Sequence, residues 1–293
     1  MNDSRINPQS EVLEYITARR CKRGGYCFYR LEEPNAPDTY YALSTLSLLS
    51  MDLKDDQSKE YLRCMQDSDG SYPNLAFAFF TIRGLGILKG RPRYRPRQYI
   101  EEMLDLCIQR GVRGHMDLND IHFIVSVFKC LRARIKDNKK QALVRLIDSM
   151  KNEDGGFGRN VSNLENTSTA LLTLKDLSWA KDEVCVLNFV KMCEDRHYGF
   201  VNVPGTSPGY LEHIHAGIVT SALIGYRPSF LTQAQRAIHM CMNDNGGFSR
   251  SIGGGISTLE NTYRAIHSLK ILSRWNIHLK KGSGTHPLKR KTS

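Results

Sequence analysis

No stretch of the 293-residue chain approaches the about 18 consecutive apolar residues that a membrane-spanning helix needs. The first ten residues, Met1 to Ser10, are polar and lack the apolar core of a secretory signal. A cytoplasmic location is therefore expected. The eight cysteines include no Cys-x-x-Cys pair and no zinc-finger spacing, which argues against a disulfide framework and a structural zinc cluster. In the cytoplasm they are expected to be reduced thiols. No segment alternates polar and apolar residues convincingly at period two, so sheet is not expected.

Charge is present in excess, with a formal net value of +11. A basic surface serves anionic partners of several kinds, and charge alone does not choose among them. Part of the excess lies at the end of the chain, in Lys280-Lys281 and Lys289-Arg290-Lys291. Residues 279–293 read as a basic, disordered tail after a single domain over residues 1–278.

The main signal is a repeat. A glycine-aromatic motif recurs as Gly24-Gly25-Tyr26, Gly70-Ser71-Tyr72, a weaker Arg113-Gly114-His115, Gly155-Gly156-Phe157, Tyr198-Gly199-Phe200 and Gly246-Gly247-Phe248. Its third residues step by 46, 43, 42, 43 and 48 positions. Such a period marks stacked supersecondary units. Each motif follows an amphipathic segment, such as Tyr61-Leu62-Arg63-Cys64-Met65, and precedes a more apolar one, such as Asn166-Thr167-Ser168-Thr169-Ala170-Leu171. Apolar positions in both recur at three and four residues, as on helices. The glycines allow the positive φ that ends a helix. Asp38, Asn166 and Asn261 stand where the second helix is expected to start and are candidate caps. Six helix pairs with no polar capping repeat at either end favour a closed ring over an open solenoid.

The clearest copies are GGYCFYRLEEPNAPDTYYALSTL (24–46), GGFGRNVSNLENTSTALLTL (155–174) and GGFSRSIGGGISTLENTYRAIHSL (246–269). Over residues 10 to 275 the pattern resembles the repeat of protein prenyltransferase β-subunits and of squalene and oxidosqualene cyclases. The resemblance implies an all-α fold, an α-α toroid whose inner helical barrel holds an isoprenoid diphosphate. The stretch from Gly199 through Pro204-Gly205 to His213 is closest to the prenyltransferase form. There the resemblance implies a zinc ligand at His213, with the partner aspartate mapped to Glu165 and the partner cysteine to Thr167. It also implies a diphosphate-binding arginine at Arg159 and a helical α-subunit-like partner.

Zinc takes Cys, His or carboxylate ligands and leaves one position open for substrate. Thr167 is a poor ligand. His215 is a candidate replacement, but residues two apart on a helix point in different directions. Diphosphate needs Arg or Lys in bidentate geometry and backbone N–H groups at helix starts. Arg159 and Arg250 each lie two residues after a Gly-Gly-Phe, and Arg30 lies in the matching loop of the first repeat. Solvated loop arginines are the plainer reading of all three. The acid of Asp-x-Asp-Asp cyclases has no counterpart, because Asp117-Leu118-Asn119-Asp120 places an amide at the proton donor's position. Helix capping is the better reading of that string. Glu165, Glu212 and Glu260 share one repeat position, which favours a structural role. Cys64, Cys107, Cys193 and Cys241 recur before the motifs and read as small core residues. Tyr40, Tyr41, Phe77, Phe79, Phe80, Phe123 and Tyr263 belong to the inner helices. They are packing residues or the wall of an isoprenoid cavity, where π faces stabilise cationic carbon.

The functional expectation is a prenyltransferase-like transferase, with His213 and Glu165 at the reacting centre and Arg159, Arg250 and Arg30 on the diphosphate. Zinc, if bound, would use Glu165, His213 and His215. No nucleic-acid partner is expected. A terpenoid cyclase-like enzyme and a non-catalytic toroid serving as a binding or scaffold module are the alternatives.

Overall fold

A computed structural model describes residues 8–29, 33–115, 117–179 and 183–282. Six helix pairs follow one another: α1 (Pro8–Thr17) and α2 (Ala36–Leu48); α3 (Asp56–Arg63) and α4 (Leu75–Ile87); α5 (Arg97–Val112) and α6 (Leu118–Cys130); α7 (Asp137–Asp148) and α8 (Leu164–Asp176); α9 (Glu183–Met192) and α10 (Leu211–Leu223); α11 (Leu231–Met240) and α12 (Leu259–Gly282). The second helices touch in the order α2, α4, α6, α8, α10, α12 and back to α2. The ring is closed, as the missing end caps suggested. Among the described residues the only named strands are β1 (Glu194–Asp195) and β2 (Gly199–Phe200), a two-residue antiparallel pair. The last helix continues through Gly282, past the expected domain end at 278. Residues 283–293, and Arg30 with its proposed role, lie outside the described residues.

Each repeat is locked by its aromatic. Tyr26, Tyr72, Phe157, Phe200 and Phe248 are buried. In three repeats the aromatic's N–H donates to a threonine hydroxyl on the inner helix: Tyr26 to Thr39 at 3.0 Å, Phe157 to Thr167 at 3.0 Å and Phe248 to Thr262 at 3.2 Å. Each hydroxyl then donates to the carbonyl four residues back. The third repeat breaks the pattern, since His115 is exposed.

The inner helices start three residues earlier than the candidate caps. Asn35, Asn74 and Asn163 are the true N-caps, accepting from the N–H groups of Asp38, Phe77 and Asn166. Thr258 accepts likewise from Asn261, and Asp117 from Asn119. Asp38 is not a cap. Its carboxylate accepts from the Phe28 N–H and the Asn35 amide.

Closure depends on bare backbone. Gly246 turns with φ +79°, and a Cβ there would lie 2.2 Å from the carbonyl oxygen of Glu11 in α1. The sixth turn therefore seats directly on the first outer helix. Gly155 makes the same approach to the Cys185 carbonyl in the following repeat, at 2.1 Å. Gly205 has φ +75° but open space around it. Gly246→Ala is expected to cost about 2–3 kcal/mol by urea unfolding, and Gly205→Ala only about 1 kcal/mol. Equal losses would mean that strain in φ alone, and not closure, makes Gly246 necessary.

Candidate functional site

The ring encloses a cavity of about 430 Å³. Counting from each inner N-cap gives the rule for its wall. The fifth residue lines the cavity in all six repeats: Tyr40, Phe79, His122, Ser168, His215 and Tyr263. The sixth does so in five, as Tyr41, Phe123, Thr169, Ala216 and Arg264. Positions two, five, six and nine share one face of a helix. Position two therefore also looks inward, and Asn119, Glu165 and Glu212 line the cavity there. Position four looks outward, toward the glycine turn. That is where Thr167 stands.

The wall is aromatic on the side of α12, α2, α4 and α6 and polar at α8, where Asn163, Asn166, Ser168 and Thr169 line it. Phe79 and Phe123 stack with ring centres 4.4 Å apart, Tyr40 lies 5.7 Å from Phe79, and Tyr41 lies 5.6 Å from Tyr263. Burial raises the Tyr41 and Tyr263 phenols far above their usual range, so both keep their protons. Arg83, at position nine of α4, has its guanidinium 5.8 Å from the Tyr40 ring centre and 6.0 Å from that of Phe79. The cavity histidines are neutral. Burial pushes His122 down to about 4 and His215 well below its normal value. His215 Nε2 lies 3.0 Å from His267 Nδ1, so one of the two rings donates to the other.

The rim carries the charge. Glu260 accepts from Arg264 Nη2 at 2.7 Å and from the Tyr41 hydroxyl at 3.0 Å. Glu212 is buried and accepts from Arg250 Nε, while Arg264 Nη1 stands 3.9 Å from its Oε2. That Oε2 is buried without a hydrogen bond. The Arg250 guanidinium lies over the Tyr210 ring, 4.2 Å from its centre. Burial raises the Glu165 carboxyl, against the pull of Arg264. Asn202 holds Glu165 in place, accepting from its N–H at 3.2 Å.

The expected site residues separate here. Glu165 faces the cavity. His213 is at position three, behind it, with Nε2 3.9 Å from Glu165 and 4.0 Å from Glu212. Arg250 reaches the rim through Glu212. Arg159 is exposed and donates to the Gly114 carbonyl at 3.1 Å, tying two loops together away from the cavity wall. Arg264, Glu212, Asn202 and His122 were not predicted as functional. The rule of fifth and sixth positions would have found Arg264 and His122, but it needs the caps, which the sequence placed three residues late.

The zinc expectation meets a donor set that does not fit. The Thr167 hydroxyl is consumed between the Phe157 N–H and the Asn163 carbonyl. His213 Nδ1 accepts from the Tyr210 N–H at 3.3 Å, so the neutral ring carries its proton on Nε2, the atom that faces the carboxylates. His215 turns to His267. Among the described residues no group of three His, Cys, Asp or Glu side chains is placed to hold a metal ion. Of the recurrent cysteines expected in the core, Cys64 is instead exposed, because it caps the end of α3 at the surface, and the other three are buried. Burial raises the Cys107 and Cys193 thiols to about 12 and Cys241 to about 11.

The family model for the prenyltransferase alpha-alpha toroid domain matches residues 2–77 and 92–291. The chain belongs to the prenyltransferase α-α toroid family. Among solved structures, this toroid is similar to Candida albicans protein geranylgeranyltransferase-I complexed with GGPP, at 17% identity and a TM-score of 0.65. The likeness spans 92% of this chain and 91% of that one. No curated protein sequence matches the chain.

Two tests address the toroid's site. Thr167→Cys is expected to lose about 1 kcal/mol or more in urea unfolding, because a thiol is a weaker acceptor for the Phe157 N–H. It is also expected to bring no zinc by elemental analysis, and one zinc per chain would show that position four reaches the cavity. The second test concerns pH. An imidazole kept neutral by burial leaves the unfolded chain to bind the extra proton, so stability is complete above about 6.5 and falls with pH below it. The loss from His122 should run from about 6.5 down to about 4. His122→Asn should flatten the decline between pH 6.5 and 4.5, and an unchanged slope would place the titration elsewhere.

Proposed function

We propose that the toroid binds an isoprenoid diphosphate in its central cavity and transfers the prenyl group to an acceptor. The observation that carries this reading is a cavity with an aromatic side built from Tyr40, Tyr41, Phe79, Phe123 and Tyr263 and with Arg264, paired to Glu260 and beside Glu212, at its rim. A volume of about 430 Å³ lies within the range of about 300–1,000 Å³ usual for ligand sites. The hydrocarbon is placed against Tyr40, Phe79, Phe123 and Leu172, gaining about 25 cal/mol for each Å² of apolar surface removed from water. The diphosphate is placed at Arg264 and Arg250. Both now bond carboxylates, and a diphosphate would exchange for them as a bidentate partner.

In this reading the carbon–oxygen bond of the allylic diphosphate breaks, the diphosphate leaves on the arginines, and the aromatic faces stabilise the cationic carbon. The acceptor's new bond forms as its proton passes to Glu212, whose Oε2 accepts no hydrogen bond and so gains a donor. Glu165, with its raised carboxyl, positions the acceptor beside it. A helical α-subunit-like partner and work in the cytoplasm belong to the same reading. No helix among the described residues is long and apolar enough to cross a membrane. The competing reading, a toroid that binds without transferring, draws on Thr167 and on the ion-paired arginines.

Calorimetry with geranylgeranyl diphosphate tests the first step. Phe123→Ala and Arg264→Ala are each expected to weaken binding by about tenfold or more. Product analysis with a thiol acceptor tests the second. Binding without transfer favours the binding module, a cyclised hydrocarbon favours the cyclase-like enzyme, and no binding at all overturns the proposal.

A further inference from the structure

Outside the ring's cavity the densest charge is a strap of nine residues. Lys89 to Arg97 holds five cations and no acid, with Pro92, Tyr94 and Pro96 between the arginines. The strap joins α4 to α5 and runs along the outside of α3. Arg63 Nε donates to the Arg91 carbonyl at 3.2 Å. Gln66, itself buried, brackets Tyr94 from both sides: its Oε1 accepts from the Tyr94 N–H at 2.8 Å and its Nε2 donates to the Tyr94 carbonyl at 3.1 Å. The backbone is pinned and the prolines restrict it further. The five cationic side chains are exposed. Arg93 pairs with Glu60 and Arg97 with Glu101, whereas Lys89, Arg91 and Arg95 form no ion pair among the described residues.

Beside the strap lies a cleft of about 400 Å³, with Arg97, Arg134, Lys136 and Lys139 around an apolar floor of Leu104 and Phe128. Its acids, Glu101 and Asp137, already pair with Arg97 and Arg134, and Lys139 pairs with Asp105, which together with Glu101 and Glu102 lines a groove beside Arg95. The strap and cleft cations without an ion pair among the described residues are Lys89, Arg91, Arg95 and Lys136. A cationic rim over an apolar floor matches a segment that carries carboxylates around an apolar side chain. Single-stranded nucleic acid would use aromatic stacking platforms, and Tyr94 is the only aromatic on the strap. A membrane would be met by protruding apolar residues, whereas Leu104 and Phe128 are recessed and buried.

We propose that this outer wall docks an acidic peptide segment of a protein partner, with carboxylates on the strap arginines and one apolar side chain in the cleft. The site is separate from the central cavity and does not depend on the prenyl reading. Fluorescence anisotropy with a fluorescein-labelled peptide, Asp-Glu-Asp-Leu-Asp-Glu-Asp, would test it on the full chain. The peptide is expected to bind at low salt, more weakly as salt rises. Arg91→Glu with Arg95→Glu is expected to weaken binding at least tenfold at an unchanged melting temperature. Replacing the peptide's leucine by serine should weaken it about fivefold. Failure of the peptide to bind would overturn the proposal. So would an equal loss from Arg227→Glu with Arg236→Glu across the ring, or tighter binding of a 20-nucleotide oligouridylate or of phosphatidylserine vesicles.

Discussion

At Gly246 the sixth turn lies against the Glu11 carbonyl with no room for a side chain, and that approach joins the end of the chain to its beginning. The same packing recurs at Gly24, Gly155 and Gly199, where the turn seats on α3, α9 and α11, while Gly114 in the third repeat has open space. A solenoid built this way could have stayed open. Here α12 packs on α2, which leaves no exposed terminal inner helix and encloses a space on the axis. The cavity follows from the closure, and the closure from glycines that tolerate both the positive φ and the contact.

Within that ring the inner helices divide labour by angle. In three repeats position four holds the threonine that ties the glycine turn to the helix. Positions two, five and six look at the axis. A residue one step away on the chain therefore passes from scaffold to cavity wall, which is why Thr167 and Ser168 have different roles. It also explains why Glu165, Glu212 and Glu260 are more than structural repeats. Glu165 and Glu212 line the cavity, and Glu212 and Glu260 share Arg264. Arg250 and Arg264 pair with Glu212 and Glu260 at the rim, Glu165 stands beside them, and the aromatic side of the wall carries Arg83 on its Tyr40 and Phe79 rings.

The repeat, its helical period and its family were legible because each rests on local chemistry. Glycine is required where φ is positive, an aromatic where a turn must be plugged, and apolar residues at helical spacing where a face is buried. The rim was only partly legible. Arg159 looked equivalent to Arg250 in its motif, yet it turns to the Gly114 carbonyl while Arg250 meets Glu212. Both partners come from other repeats, and no local spacing announces them. His213 carried the resemblance to a zinc ligand, but the Tyr210 N–H on its Nδ1 leaves the proton on the wrong nitrogen for that role.

The sequence by itself determined the helix pairs, the glycine turns and the number of repeats, since these depend on residues within about 20 positions of one another. Only the tertiary structure decided which side chains share the axis and which charges neutralise each other. The contact between Tyr41 and Glu260 joins residues at opposite ends of the chain. It exists because the ring closes, and a hydroxyl finds its carboxylate there only when all six repeats have turned through their full circle.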